Sequence, residues 1–106
     1  MPKYLWEVSY TAEGTKGVLK DGGSKRRAVA EKAIKAVGGK LEAFYFAFGK
    51  ADVYLIADMP DNVSVAAASM AISASGAVRI KTTVLLTPEE IDKAAKKSVS
   101  YQPPGH

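Results

Sequence analysis

A chain of 106 residues, 47% apolar and 25% charged, is long enough for one buried core and too short for two, with a composition ordinary for globular proteins. Its net charge of +4 falls short of a dedicated nucleic-acid binder, and the absence of cysteine removes disulfides, thiolate chemistry and cysteine-held metals. No run approaches the roughly 18 apolar residues of a membrane helix, and MPKYLWEVSY lacks a basic segment followed by an apolar one, so the expectation is a cytoplasmic protein without a signal peptide.

Lys3–Tyr10 alternates as a strand, with Tyr4, Trp6, Val8 and Tyr10 on one face and Leu5, Glu7 and Ser9 on the other. Thr11 reads as the N-cap of a short helix ending near Asp21, with Glu13 in its first turn. After Gly22-Gly23, Ser24 is placed to cap a second helix. There Ala30, Ala33, Ile34 and Val37 share one face, Lys25, Lys32 and Lys35 face solvent, and Gly38-Gly39 is the stop. Leu41–Phe48 and Val53–Asp58 flank a Gly-Lys-Ala-Asp turn and read as a hairpin. Phe44, Phe46 and Phe48 form one stripe of its first strand, opposite Ala43, Tyr45 and Ala47, and the second strand is apolar on both faces. Pro60-Asp61-Asn62 turns into an alanine-rich helix, Val63–Ser75, ended by Gly76. A fourth strand spans Ala77–Leu86. Thr87, Pro88 and Glu90 then spell a capping box for a helix to about Lys97, with Ile91, Ala94 and Ala95 inward. Residues 1–98 are read as one domain and 99–106 as a surface arm without periodicity.

The order β-α-β-β-α-β plus a terminal helix is an α+β chain of the ferredoxin-like, split βαβ kind, with an antiparallel sheet in the order 4-1-3-2 and both main helices on one face. That leaves a second sheet face bare beside an aromatic edge strand. The expectation is a homo-oligomer, a dimer or larger, packed sheet to sheet as a dimeric α/β barrel. The alternative is a monomer in which Glu89–Lys97 and the tail cover the face.

Thr11-x-Glu13-Gly14 after the first strand, Gly49-x-x-Asp52 at the hairpin, Pro60-Asp61 after the third strand, and Thr82-Thr83 before Leu86-Thr87-Pro88 resemble the pattern of the GYD domain family from about Tyr4 to Lys97. The resemblance implies a small protein of the dimeric α/β-barrel kind and little about chemistry. Ala51 stands where the tyrosine of the family's Gly-Tyr-Asp feature would be looked for.

Four groups of residues bear on function. Tyr4, Trp6 and Tyr10, with Met70, are placed to line a pocket between the sheet and its helices, where the alanines of Val63–Ser75 leave space; the competing reading is plain core. Glu7, Glu42, Arg79 and Lys81 are charged strand positions: Glu7 either pairs with Arg79 or Lys81 or, with Tyr10 as the other candidate, serves as a catalytic base. Ser24, Lys25 and Arg26 follow Gly22-Gly23 as a candidate anion site, weighed against a solvated loop. Asp52, Asp58 and Asp61 read as turn and cap residues, and the one histidine, His106, ends the chain, so neither a metal nor a cofactor is expected. The leading expectation is an oligomeric protein that binds a small organic ligand or acts as a regulator, with no nucleic-acid or membrane partner. A cofactor-free isomerase or monooxygenase acting on an aromatic or enolisable substrate is the alternative.

Overall fold

The computed structural model describes all residues, Met1–His106. Four strands, β1 (Lys3–Tyr10), β2 (Lys40–Phe46), β3 (Val53–Asp58) and β4 (Val78–Leu85), form one open antiparallel sheet in the order β2-β3-β1-β4. Read from the other edge this order is 4-1-3-2. Four helices accompany it: α1 (Ala12–Asp21), α2 (Gly23–Ala36), α3 (Asn62–Ser73) and α4 (Pro88–Lys96).

The alternation of β1 decides which sheet face is buried. Tyr4, Trp6 and Val8 lie opposite Ala57, Leu55 and Val53 of β3, and all six join Ile34 of α2 and Val65 and Ala68 of α3 in one core. Trp6, Ile34, Met59 and Val53 are the largest fully buried side chains, each contributing about 1.5–3 kcal/mol by burial. Leu5, Glu7, Tyr54 and Ile56 occupy the opposite face, half-buried.

β2 departs from simple alternation. Leu41 pairs with Ala57 but Ala43 pairs with Ile56, so Glu42 is the extra residue of a β-bulge. The bulge shifts the phase by one, so that Leu41, Phe44 and Phe46 all pair with the buried positions of β3 and face the helices. Phe44 and Phe46 meet edge to face at 5.5 Å and 76°, within the range aromatic pairs favour. Phe48 lies beyond the strand, fully exposed. The expected three-ring stripe is therefore one ring packed on the core, Phe44, one on the helix side but 45% exposed, Phe46, and one in solvent, Phe48.

Helix ends follow local chemistry with one correction. Thr11 caps α1, its Oγ1 accepting from the Gly14 amide at 3.2 Å. Ser24 does not cap α2, because the helix starts at Gly23 with Gly22 as an N-cap that has no side chain to offer. At φ 83° Gly22 serves at once as the end of α1 and the start of α2, a conformation that favours glycine. Asp61 caps α3 by accepting from the Ser64 amide at 2.7 Å, and Thr87 and Glu90 complete the capping box of α4.

The amide bonds hold the carboxyls of Asp61 and Glu90 below their ordinary range. A carboxyl whose folded pKa is depressed adds stability above its unfolded pKa, and that contribution fades as pH falls through the folded value. The Ser64 amide is accordingly expected to lose hydrogen-exchange protection as pH drops below about 4, where carboxylates take up protons. Protection unchanged relative to its helix neighbours down to pH ~2, deep in the carboxylate titration range, would contradict this.

The expectation that Ile91, Ala94 and Ala95 turn inward fails. Every residue from Pro88 to His106 is exposed. The molecule measures 58 × 32 × 22 Å with a radius of gyration of 17.0 Å, against about 13 Å for a compact chain of this length. α4 and the tail form a projecting arm, and the monomer in which they cover the open face is not what the chain adopts.

Candidate ligand-binding cavity

A cavity of about 70 Å³ lies between the helix-side face of the sheet and α2. Trp6 and Tyr10 of β1 line its floor, Phe44 one side, and Arg26, Ala30 and Ala33 of α2 its roof. The small alanine side chains, one and two turns beyond Arg26, leave the space. That room comes from the alanines of α2, with Ile72 the only α3 residue in the wall.

The polar residues on this lining are few. Trp6 is 1% exposed, and its indole Nε1 is buried without a hydrogen-bond partner. Burial holds the Tyr10 hydroxyl above its ordinary pKa, against the lowering effect of the neighbouring Arg26 guanidinium, so it is a protonated donor at neutral pH. Arg26 is the one charged lining residue, loosely tied to Asp21 at 3.7 Å. Two of the sequence groups thus meet: Arg26 leaves the expected anion loop to join Trp6 and Tyr10. Of the rest of that loop, Ser24 is exposed and Lys25 pairs with Asp21 at 3.6 Å.

The other candidates go elsewhere. Tyr4 is buried and donates its hydroxyl to Asn62 Oδ1, tying β1 to the start of α3. Met70 is 72% exposed. Glu7 lies on the far face of the sheet, opposite Lys81 and Tyr54 in register, in an open cleft with Lys50 and Arg79. It forms no ion pair with any of these cations. Glu42 instead pairs with Lys3 at 2.6 Å, and Asp58 holds the same ammonium at 2.9 Å, which raises the Lys3 pKa. No group of three His, Cys, Asp or Glu side chains gathers to hold a metal ion, and no helix is long and apolar enough to cross a membrane.

Asp52 has a role that its place in a turn conceals. Its amide donates to the Val8 carbonyl at 2.8 Å and its carbonyl accepts from the Ala47 amide at 2.8 Å. Its Oδ2 accepts the Tyr10 amide at 2.8 Å. One residue therefore closes the end of the sheet and fixes the backbone that presents Tyr10 to the cavity.

A family model described as the GYD domain matches residues 4–95. The chain belongs to the GYD domain family. No curated protein and no solved structure matches it. In this GYD domain Gly49 adopts φ 92°, a left-handed conformation suited to glycine. Ala51 is buried at the position expected for the tyrosine, and Asp52 is the clasp just described. Asp52→Ala leaves the part-buried Tyr10 amide without that acceptor, an expected cost of about 1–3 kcal/mol. Thermal unfolding checks this, at roughly 4–8 °C per kcal/mol for a domain of this size. Asp52→Asn, which keeps an acceptor, should recover most of the loss, and an alanine variant as stable as the parent would contradict the role.

Proposed function

We propose that this GYD domain is a ferredoxin-like, cytoplasmic homo-oligomer that binds a small organic ligand between its sheet and α2. The observation that carries the ligand is the cavity itself, an almost wholly apolar space between Trp6 and the alanines of α2 with Tyr10 and Arg26 as its polar lining residues.

Two features support self-association. The sheet face bearing Leu5, Tyr54 and Ile56 is covered by no helix of its own chain. The projecting α4 is a nine-residue helix, shorter than an isolated helix needs for stability in water, so a second copy is the body that supports it. Residues 1–98 would then be the domain, and 99–106 a strap toward the neighbour.

Of the two bases considered for the enzymatic alternative, Tyr10 lines the cavity and Glu7 does not. Glu7 and the Trp6–Tyr10 surface occupy opposite faces of the sheet, so Glu7 cannot reach a substrate held in the cavity. Glu7→Gln is expected to leave ligand binding unchanged.

The test is to denature natively purified protein and identify the released small molecules by mass spectrometry, beside an Ala33→Leu variant whose larger side chain fills the cavity. A molecule released at one per parent chain and absent from the folded variant supports the function. Identical release from both, or none from either, overturns it.

A further inference from the structure

We infer that the cavity takes a small monocarboxylic acid, with a body of three or four carbons enclosed and its carboxylate directed to Arg26 and Tyr10. This rests on the ligand-binding reading above and deepens it. The charge of the lining is one-sided: Arg26 is its one ion, loosely held by Asp21 at 3.7 Å, the Tyr10 hydroxyl stands beside it, and no carboxylate lines the wall. A guanidinium donates only and a protonated tyrosine hydroxyl can donate beside it, so the pair favours an anionic acceptor through charge-assisted bonds.

Size limits the rest of the molecule. A cavity of about 150 Å³ holds the six carbons of benzene, so about 70 Å³ encloses roughly half as many. The side chain of Arg26 is 30% exposed, which places the charged pole of the site where a carboxylate keeps part of its hydration. The apolar wall of Ala30, Ala33 and Ile72 receives the hydrocarbon. Arg26, Ala30 and Ala33 stand four and three residues apart on one helix face, so a single rigid helix presents both the charged and the apolar part of the site.

Trp6 is the one tryptophan of the chain, which makes its indole N–H a single resonance in a proton–nitrogen correlation spectrum. Three probes separate the possibilities: isobutyrate, its neutral isostere isobutyramide, and xenon, which reports an apolar cavity without hydrogen bonding. Isobutyrate is expected to shift the indole resonance saturably at about tenfold lower concentration than isobutyramide, since a bond to a charged group is the stronger. Arg26→Gln should erase that difference while keeping the xenon response, which shows that the variant retains the cavity. Equal affinity for acid and amide, or a preference for acid that survives in Arg26→Gln, overturns the inference and leaves the ligand-binding reading intact. An indole resonance indifferent to all three probes, xenon included, overturns both.

Discussion

Gly14→Ala is expected to cost about 3 kcal/mol or more, beyond the usual range for overpacking a core. Gly14 is buried in α1, and a Cβ built on it would sit inside contact distance of the Ala77 carbonyl oxygen and 3.0 Å from both the Ala77 carbonyl carbon and Tyr10 Cδ1. The obstacle is backbone, which cannot rotate aside as a side chain can. That same carbonyl accepts the Thr11 amide at 3.0 Å, so α1 could retreat only by giving up a bond at its own N-cap. Thermal unfolding should show a fall on the order of 12–24 °C, taking about 4–8 °C per kcal/mol. Gly17→Ala, on the same helix with nothing near the added Cβ, is the control and should be neutral or stabilising. Equal melting of the two variants would show that α1 does not depend on this close approach.

Truncation after Leu86 should abolish the proposed self-association and leave a monomer with the sheet, α1, α2 and α3 folded. Nothing in the core cluster comes from beyond Ile80, so the removed segment contributes no buried contact within its own chain. What it does carry is exposed apolar surface: Ile91 is 51%, Val99 79% and Tyr101 72% exposed. Stable interfaces bury about 1,200–2,000 Å² in total, and the arm together with the uncovered sheet face is the surface on which that area can be found. Sedimentation velocity of the full and truncated chains decides the matter. A full chain at oligomer mass and a folded truncated chain at monomer mass is the expected pair; a truncated chain with unchanged oligomer mass would assign assembly to the sheet face alone.

The parts of the fold written in side-chain period and cap chemistry were legible before the structure. β1 falls on its expected residues because its aromatic face alternates with a mixed one, and β3 because a short apolar run is bounded by turn residues. The capping box at Thr87 and Glu90 forms as its spacing implies. The parts that were not legible depend on partners distant in sequence. The bulge at Glu42 rotates Leu41 into phase with Phe44 and Phe46; the clue was the three-residue interval between Leu41 and Phe44 in a strand of period two. Arg26 carried a similar clue, standing one helical turn before Ala30 on the inward face, but as a cation beside two glycines it read as part of a solvated loop. The clasp made by Asp52 had no local signal, because its acceptor oxygen serves an amide on β1, 42 residues away. α4 misled for a different reason. Its apolar residues repeat as in a buried helix, yet periodicity says that a face is to be covered without saying by which chain.

Native mass spectrometry of the full chain, purified without denaturation, tests the central claim most directly, because assembly and cavity contents are read in one spectrum. Each chain contributes 11.2 kDa. The expected spectrum is a dimer or larger multiple carrying one small adduct per chain, lost on collisional heating before the subunits separate. A bare monomer would contradict both the second copy assigned to the open face and arm and the ligand assigned to the Trp6 cavity.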